Sequence, residues 1–194
     1  MKKNEIQDAL EPVVKAFEDL GILYYISGSV ASSVYGIARA TMDIDLVSDC
    51  RQNQVNLLVK KLKTNYFIDE NMISDAIKNN SSFNLIHLDT MLKIDVFILK
   101  ERSFQKMAFE RKRKDSISDE PDSVKVYFCS AEDIILSKLE WYKSGGCVSE
   151  RQWKDVVGVI KVQGDLLDKA YLWYWSKDLG VDDLLEKALL EGRV

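Results

Sequence analysis

The stretch Thr41-Met-Asp-Ile-Asp-Leu-Val47 sets two carboxylates into a run that otherwise has the apolar character of a buried strand. Residues i and i+2 of a strand point to the same face, so Asp43 and Asp45 stand side by side. Two like unit charges about 4 Å apart repel by roughly 4 kcal/mol at an effective dielectric near 20. A fold carries that cost only with positive charge between them. A second apolar run, "LKIDVFIL" from Leu92 to Leu99, contains a third acid, Asp95, between Ile94 and Val96. If the two strands are neighbours, the three acids converge, and three carboxylates stay ionised together only around cations. An all-oxygen ligand set with open positions favours Mg²⁺ or Mn²⁺, shared with substrate phosphates. The competing reading makes them exposed acids at sheet edges.

The rest of the chain is ordinary enough to bound this reading. Its 194 residues suffice for one sizeable domain or two small ones. Hydrophobic residues at 46% and charged residues at 30% fit a soluble globular protein. A net charge of −4 means that nucleic acid could be contacted only locally. One basic run qualifies, "ERKRK" from Glu110 to Lys114, followed at once by acidic "DSISDEPD". The plainer reading is a solvated helix end and loop. No apolar run approaches the ~20 residues of a membrane span, and "MKKNEIQDAL" lacks the apolar segment of a secretory signal. Cys50, Cys129 and Cys147 are odd in number and widely spaced, which argues against a disulfide framework or a zinc site. A reducing, cytoplasmic location is expected.

Apolar spacing predicts a helix from Ile6 to Leu20 that ends at Gly21, with Pro12 marking a kink or a late start. Strands are expected at Ile22 to Ile26, Met42 to Val47, Phe83 to Leu88 and Leu92 to Leu99, the last two as a hairpin turning at 89–91. Helices are expected at "VASSVYG", Gln52 to Thr64 and, less strongly marked, Met72 to Lys78. Beyond Leu99 the pattern gives a helix from Phe104 to Arg113 with Ser103 as N-cap, and a strand in "VKVYFCS". Helices then open at Ser130-Ala-Glu-Asp133 and Ser149-x-x-Gln152, and two more follow. The fold class is therefore α/β (α+β): a mixed sheet with flanking helices, then a helical C-terminal part. The expected division is 1–100 for the core and 101–194 for a mainly helical part packed on it.

Upstream of the acidic pair, "ISGSVASSVYG" reads as strand, Gly-Ser turn and helix. Gly28 permits a backbone conformation that a Cβ obstructs, and Ser29 opens a helix whose N-terminal amides favour phosphate. Gly28-Ser29, thirteen residues, Asp43-Ile-Asp45 and a later strand bearing Asp95 together resemble the DNA polymerase β-like nucleotidyltransferase superfamily over roughly residues 20 to 100. "GIARATMDIDL", Lys138 in "ILSKLEW" and "SERQWKD" (Ser149 to Asp155) are further similar to small bacterial nucleotidyltransferases of abortive-infection toxin systems. The resemblance implies that Asp43 and Asp45 bind two metals, Mg²⁺ or Mn²⁺. It also implies that Asp95 binds the catalytic one and helps to activate an acceptor hydroxyl. Gly28 and Ser29 hold the β- and γ-phosphates of an NTP, and pyrophosphate leaves after in-line attack on the α-phosphate. The implied acceptor is RNA such as tRNA, a protein or a small molecule, and an antitoxin is a possible partner chain.

Two cations are added to the nucleotide-binding set. Arg39, four residues before Asp43, reads as a phosphate clamp or a surface arginine. Lys138, on a helix face with Ile134 and Trp141, reads as a triphosphate contact or a snorkelling side chain. Asp155 reads as a site contact, a solvated acid or a partner of Lys154 or Arg151. His87, the only histidine, reads as structural, and "YLWYW" as core packing through Leu172 and Trp175. The expected function is Mg²⁺-dependent transfer of a nucleoside monophosphate from an NTP to a hydroxyl. The alternatives are a non-catalytic nucleotide-binding module of a toxin–antitoxin or regulatory pair, and a metal-dependent phosphohydrolase.

Overall fold

A computed structural model describes residues 3–117 and 123–192. In chain order these form α1 (Lys3–Asp19), β1 (Tyr24–Ser27), α2 (Gly28–Tyr35), β2 (Asp43–Ser48), α3 (Val55–Leu62), β3 (Tyr66–Phe67), α4 (Glu70–Asn79), β4 (Ser82–His87) and β5 (Lys93–Ile98). They continue with α5 (Ser103–Glu110), β6 (Arg113–Ser116), β7 (Lys125–Phe128), α6 (Ala131–Ser144), α7 (Glu150–Gln163), α8 (Lys169–Leu179) and α9 (Asp182–Gly192). By packing, the chain divides into two compact units, 1–27 with 40–128 and 28–39 with 129–194. This cuts the chain differently from the expected parts 1–100 and 101–194. The first long helix-bearing turn, 28–39, groups with the C-terminal helices, and β6 and β7 group with the sheet.

The first unit is built on a seven-stranded mixed sheet in the order β3-β4-β5-β2-β1-β7-β6. β2 runs parallel to β5, and β1 parallel to β7, while the other neighbours are antiparallel. The alternation of each central strand decides its faces. Ile26, Leu46, Val96 and Phe83 lie in one register across four strands, as do Ile44, Ile94 and Leu85. All of these are buried. The face they form is the core, closed by Ala9, Leu10, Val13 and Phe17 of α1, Leu58 and Leu62 of α3, and Ile73 and Ala76 of α4. Phe17 meets Tyr24 edge to face at 5.9 Å, and Tyr66 donates to the Ala9 carbonyl at 2.7 Å. Burying a side chain of this size is worth about 1.5–3 kcal/mol, so the apolar half of each strand fixes which half faces outward.

Several local expectations shift. α1 runs through Pro12 from Lys3, so the helix does not start late. Ser103 is the first helical residue rather than the cap, which is Arg102. α5 ends at Glu110, and Arg113–Ser116 pairs antiparallel with β7. The basic run is thus divided: Glu110 closes the helix, Arg111 caps it, and Arg113 and Lys114 belong to an edge strand. With three of its four residues exposed and charged, it lacks the apolar alternation that marks a strand, a composition typical of protected edges. Lys112 donates to the Phe109 carbonyl at 2.9 Å, and Lys114 lies 3.8 Å from Glu18. Of the acidic run after it, residues 118–122 lie outside the described residues.

The second unit is all helical. α2 packs on α6 and α7, and α7 and α8 pack on α9. Gly36, just past α2, lies against the α7 backbone, where an added Cβ would stand 2.7 Å from the Val159 amide nitrogen. Ser130 and Ser149 cap α6 and α7 by accepting the amides of Asp133 and Gln152. Among the described residues no helix is long and apolar enough to cross a membrane.

The contact at Gly36 gives a direct test of this packing. A Cβ so close to backbone cannot be relieved by a side-chain rotation, so Gly36→Ala should lower unfolding stability by about 1–3 kcal/mol, read from urea denaturation.

Candidate active site

The outward half of the central strands is polar at one level. Ser27 of β1 is in register with Asp45 of β2, Asp45 with Asp95 of β5, and Asp95 with Asn84 of β4. Register partners in adjacent strands share a face and stand about 4.8 Å apart. One step along, Asp43 is opposite Lys93. The four residues Asp43, Asp45, Lys93 and Asp95 thus occupy the corners of one cell of the sheet, three acids and one ammonium. Asp43, Asp45 and Asp95 therefore do lie together on one face of the first unit.

The cation that this arrangement demands is supplied by the chain itself. Lys93 Nζ lies 2.6 Å from Asp95 Oδ2, with side-chain exposures of 44% and 21%. The hydrogen bond to Asp95 raises the Lys93 pKa above its ordinary value. The charges of Asp95, Asp43 and Asp45 add to the effect, and partial desolvation opposes it. Lys93 was readable in the sequence: as residue i−2 of Asp95 it must share its face. Three carboxylates on one face, Asp43 exposed and Asp45 and Asp95 partly buried, are the donor chemistry of a hard divalent cation. The side chains as they stand are not drawn into a ligand shell, since among the described residues no group of three or more His, Cys, Asp or Glu is placed to hold a metal ion. Asp95 is turned onto Lys93 instead.

The second unit contains a separate charged network. Gly28 has φ +59°, in the left-handed region that glycine enters without strain, and it opens α2 directly after Ser27. The first amides of that helix have no intrahelical acceptor. Arg39 grips Asp155 with two bonds, Nε to Oδ1 at 2.7 Å and Nη2 to Oδ2 at 2.8 Å, and Nη2 also donates to Ser29 Oγ at 2.6 Å. Lys138 Nζ reaches the same Asp155 Oδ2 at 2.8 Å and Gln152 Oε1 at 3.0 Å. Ser29, Arg39, Lys138 and Asp155 are thereby one network.

Several expectations are corrected by it. Lys138 does not snorkel, because it is buried at 4% exposure and its ammonium is inside the network. Trp141, on the face that helical spacing assigns to Lys138, is exposed. Asp155 is paired with neither Lys154, which joins Glu150, nor Arg151. Gln152, which follows the Ser149 cap in the first turn of α7, accepts from Lys138 through Oε1. His87 is held in the hairpin by Thr90 at 2.9 Å and stacks near Tyr66. Leu172 and Trp175 are buried, while Tyr174 is exposed and Tyr171 donates to Asp133 at 2.6 Å.

Comparison with known proteins adds the fold but no closer relative. No family model matches the chain, and no curated protein matches it in sequence. Among solved structures, the solution structure of the antibiotic-resistance factor ANT(2'')-Ia superposes with a TM-score of 0.59 at 10% identity, covering 96% of this chain and 99% of that one. An antigenic nucleotidyltransferase-like protein from Paracoccidioides brasiliensis gives 0.55 at 16% identity, covering 97% and 93%. At such identities the likeness concerns the fold alone. The mixed seven-stranded sheet with flanking helices is the nucleotidyltransferase fold.

The Asp155 network generates its own prediction. Desolvation pushes the Asp155 pKa up, but the hydrogen bonds and charges of Arg39 and Lys138 outweigh it and hold the carboxyl below 3.8. A depressed carboxylate contributes stability above its unfolded pKa and loses it as pH falls through the folded value. Asp155→Asn should therefore destabilise the protein at pH 7 by on the order of 3 kcal/mol. Its loss of stability below about pH 4 should be shallower than wild type's, measured by denaturation across pH 2–7.

Proposed function

We propose that this chain is a nucleotidyltransferase that moves a nucleoside monophosphate from an NTP to a hydroxyl acceptor. One observation carries the reading: Asp45 and Asp95 are register partners on the outward face of parallel strands, with Asp43 two residues away on the same face. No packing requirement explains three acids there, because each strand already buries its apolar half on the other side. The shared fold supports the same class of chemistry.

In this reading Asp43 and Asp45 hold Mg²⁺ or Mn²⁺, and Asp95 serves the catalytic position. A divalent cation, when bound, neutralises phosphate charge and lowers the pKa of the acceptor hydroxyl. Asp95 takes up the hydroxyl proton as the acceptor oxygen forms its bond to the α-phosphorus. The bond from that phosphorus to the bridging oxygen breaks, and pyrophosphate leaves. Gly28 and Ser29 bind phosphate through the amides of a helix N-terminus. Arg39 and Lys138 act in the nucleotide-binding set as cations oriented by Asp155.

The acceptor is RNA such as tRNA, a protein or a small molecule. Since an antibiotic-resistance factor has this fold, antibiotics belong among the acceptors to test. An antitoxin-like partner chain remains part of the proposal through the sequence resemblance. The Lys93–Asp95 ion pair favours a second reading, a nucleotide-binding module without turnover, because it engages the third acid. Calorimetry separates the two: NTP·Mg²⁺ binding without pyrophosphate release on any acceptor supports the module.

The transferase is tested by incubating the protein with Mg²⁺, each α-labelled NTP and cell extract. Label should pass to an acceptor with wild type. Asp45→Asn and Asp95→Asn should each lower the rate at least about a hundredfold, equivalent to about 2.7 kcal/mol of barrier. Lys154→Ala, at an exposed site paired with Glu150 at 3.1 Å, should leave it unchanged. Undiminished labelling in Asp45→Asn would overturn the assignment.

A further inference from the structure

We propose that Lys93 is a tethered cation that occupies the acid cell in place of a divalent ion, so that metal binding is a displacement of its ammonium. The inference rests on the metal-site reading given under the proposed function and concerns how that site is regulated. Three observations place Lys93 in this role. Its side chain shares the strand face of Asp95 through the i, i+2 relation and is opposite Asp43 across the β2–β5 pairing. Its Nζ is 2.6 Å from Asp95 Oδ2, so it already holds an oxygen that a metal would need. With 44% of its side chain exposed, it has solvent into which to withdraw.

The physical consequence is a competition. With the ammonium in place, the repulsion among Asp43, Asp45 and Asp95 is relieved without any ion, and the sheet face is stable empty-handed. A divalent cation brings twice the charge to the same carboxylates, but must first break the Lys93–Asp95 pair. Lys93 therefore sets the metal affinity from below: it stabilises the metal-free protein and weakens the binding of the ion. A lysine that serves only to stabilise the fold would do the first and not the second.

The test needs no turnover. Mn²⁺ alone is titrated calorimetrically, without nucleotide, into wild type, Lys93→Met, Lys93→Arg and Asp45→Asn. Lys93→Met should bind Mn²⁺ more tightly than wild type by roughly tenfold, the charge competitor being gone, and Lys93→Arg should stay close to wild type. In chelator, Lys93→Met should melt at a lower temperature than wild type, and the gap should narrow as Mn²⁺ saturates the site. Mn²⁺ binding by Lys93→Met equal to or weaker than wild type, with wild-type binding lost in Asp45→Asn, overturns the displacement while leaving the metal site standing. Absence of Mn²⁺ binding at the acids in wild type and Lys93→Met alike overturns both.

Discussion

The parallel pairing of β2 with β5 is the constraint on which the outward face of the sheet depends. Because the strands are in register from Asp43↔Lys93 to Ser48↔Ile98, their apolar residues fall on one side together and their charged residues on the other. A slip of one residue would carry Asp45 or Asp95 into the core. Burying an unpaired carboxylate costs far more than a register shift could return. The hydrophobic half of each strand thus acts as a clamp on the chemistry of the other half, and the acids need no contact of their own to be aligned.

That clamp also accounts for what the sequence made legible and what it hid. Asp43, Asp45 and Asp95 could be singled out because each breaks an apolar run, and alternation told which side of its strand each occupies. Their adjacency depends on which strands pair, a non-local fact that the spacing only permitted. Lys93 shares the face of Asp95 by spacing, but a lysine at a strand's start looks like ordinary solvent-facing polarity. Its meaning comes from Asp43 and Asp45, some fifty residues earlier. In the same way β6 was hidden by charge, since an edge strand with exposed side chains has no apolar face to show.

The helical unit teaches the converse. Asp155 sits beside Lys154 and near Arg151 in sequence, so a local pair stands among its readings, next to a site contact and a solvated acid. Lys154, one residue away, points to another face, and Arg151, four residues away, shares the helix side, yet the carboxylate meets Arg39, 116 residues away in sequence, and Lys138. Buried Lys138 can be tolerated only with such partners, so its place among buried Ile134, Leu136 and Leu139 calls for an acid to pair with it. Ser29 enters the network through Arg39, which ties the turn singled out for phosphate to the cations singled out for the same task within one unit.

We propose the acid cell of β2 and β5 as a divalent-metal site for nucleotidyl transfer. The most direct measurement is anomalous diffraction from crystals soaked with Mn²⁺ and a non-hydrolysable NTP. The account predicts Mn²⁺ peaks within ligand distance of Asp43, Asp45 and Asp95, with Lys93 swung away from Asp95. Mn²⁺ bound elsewhere, with the Lys93–Asp95 pair intact in the presence of nucleotide, would contradict it.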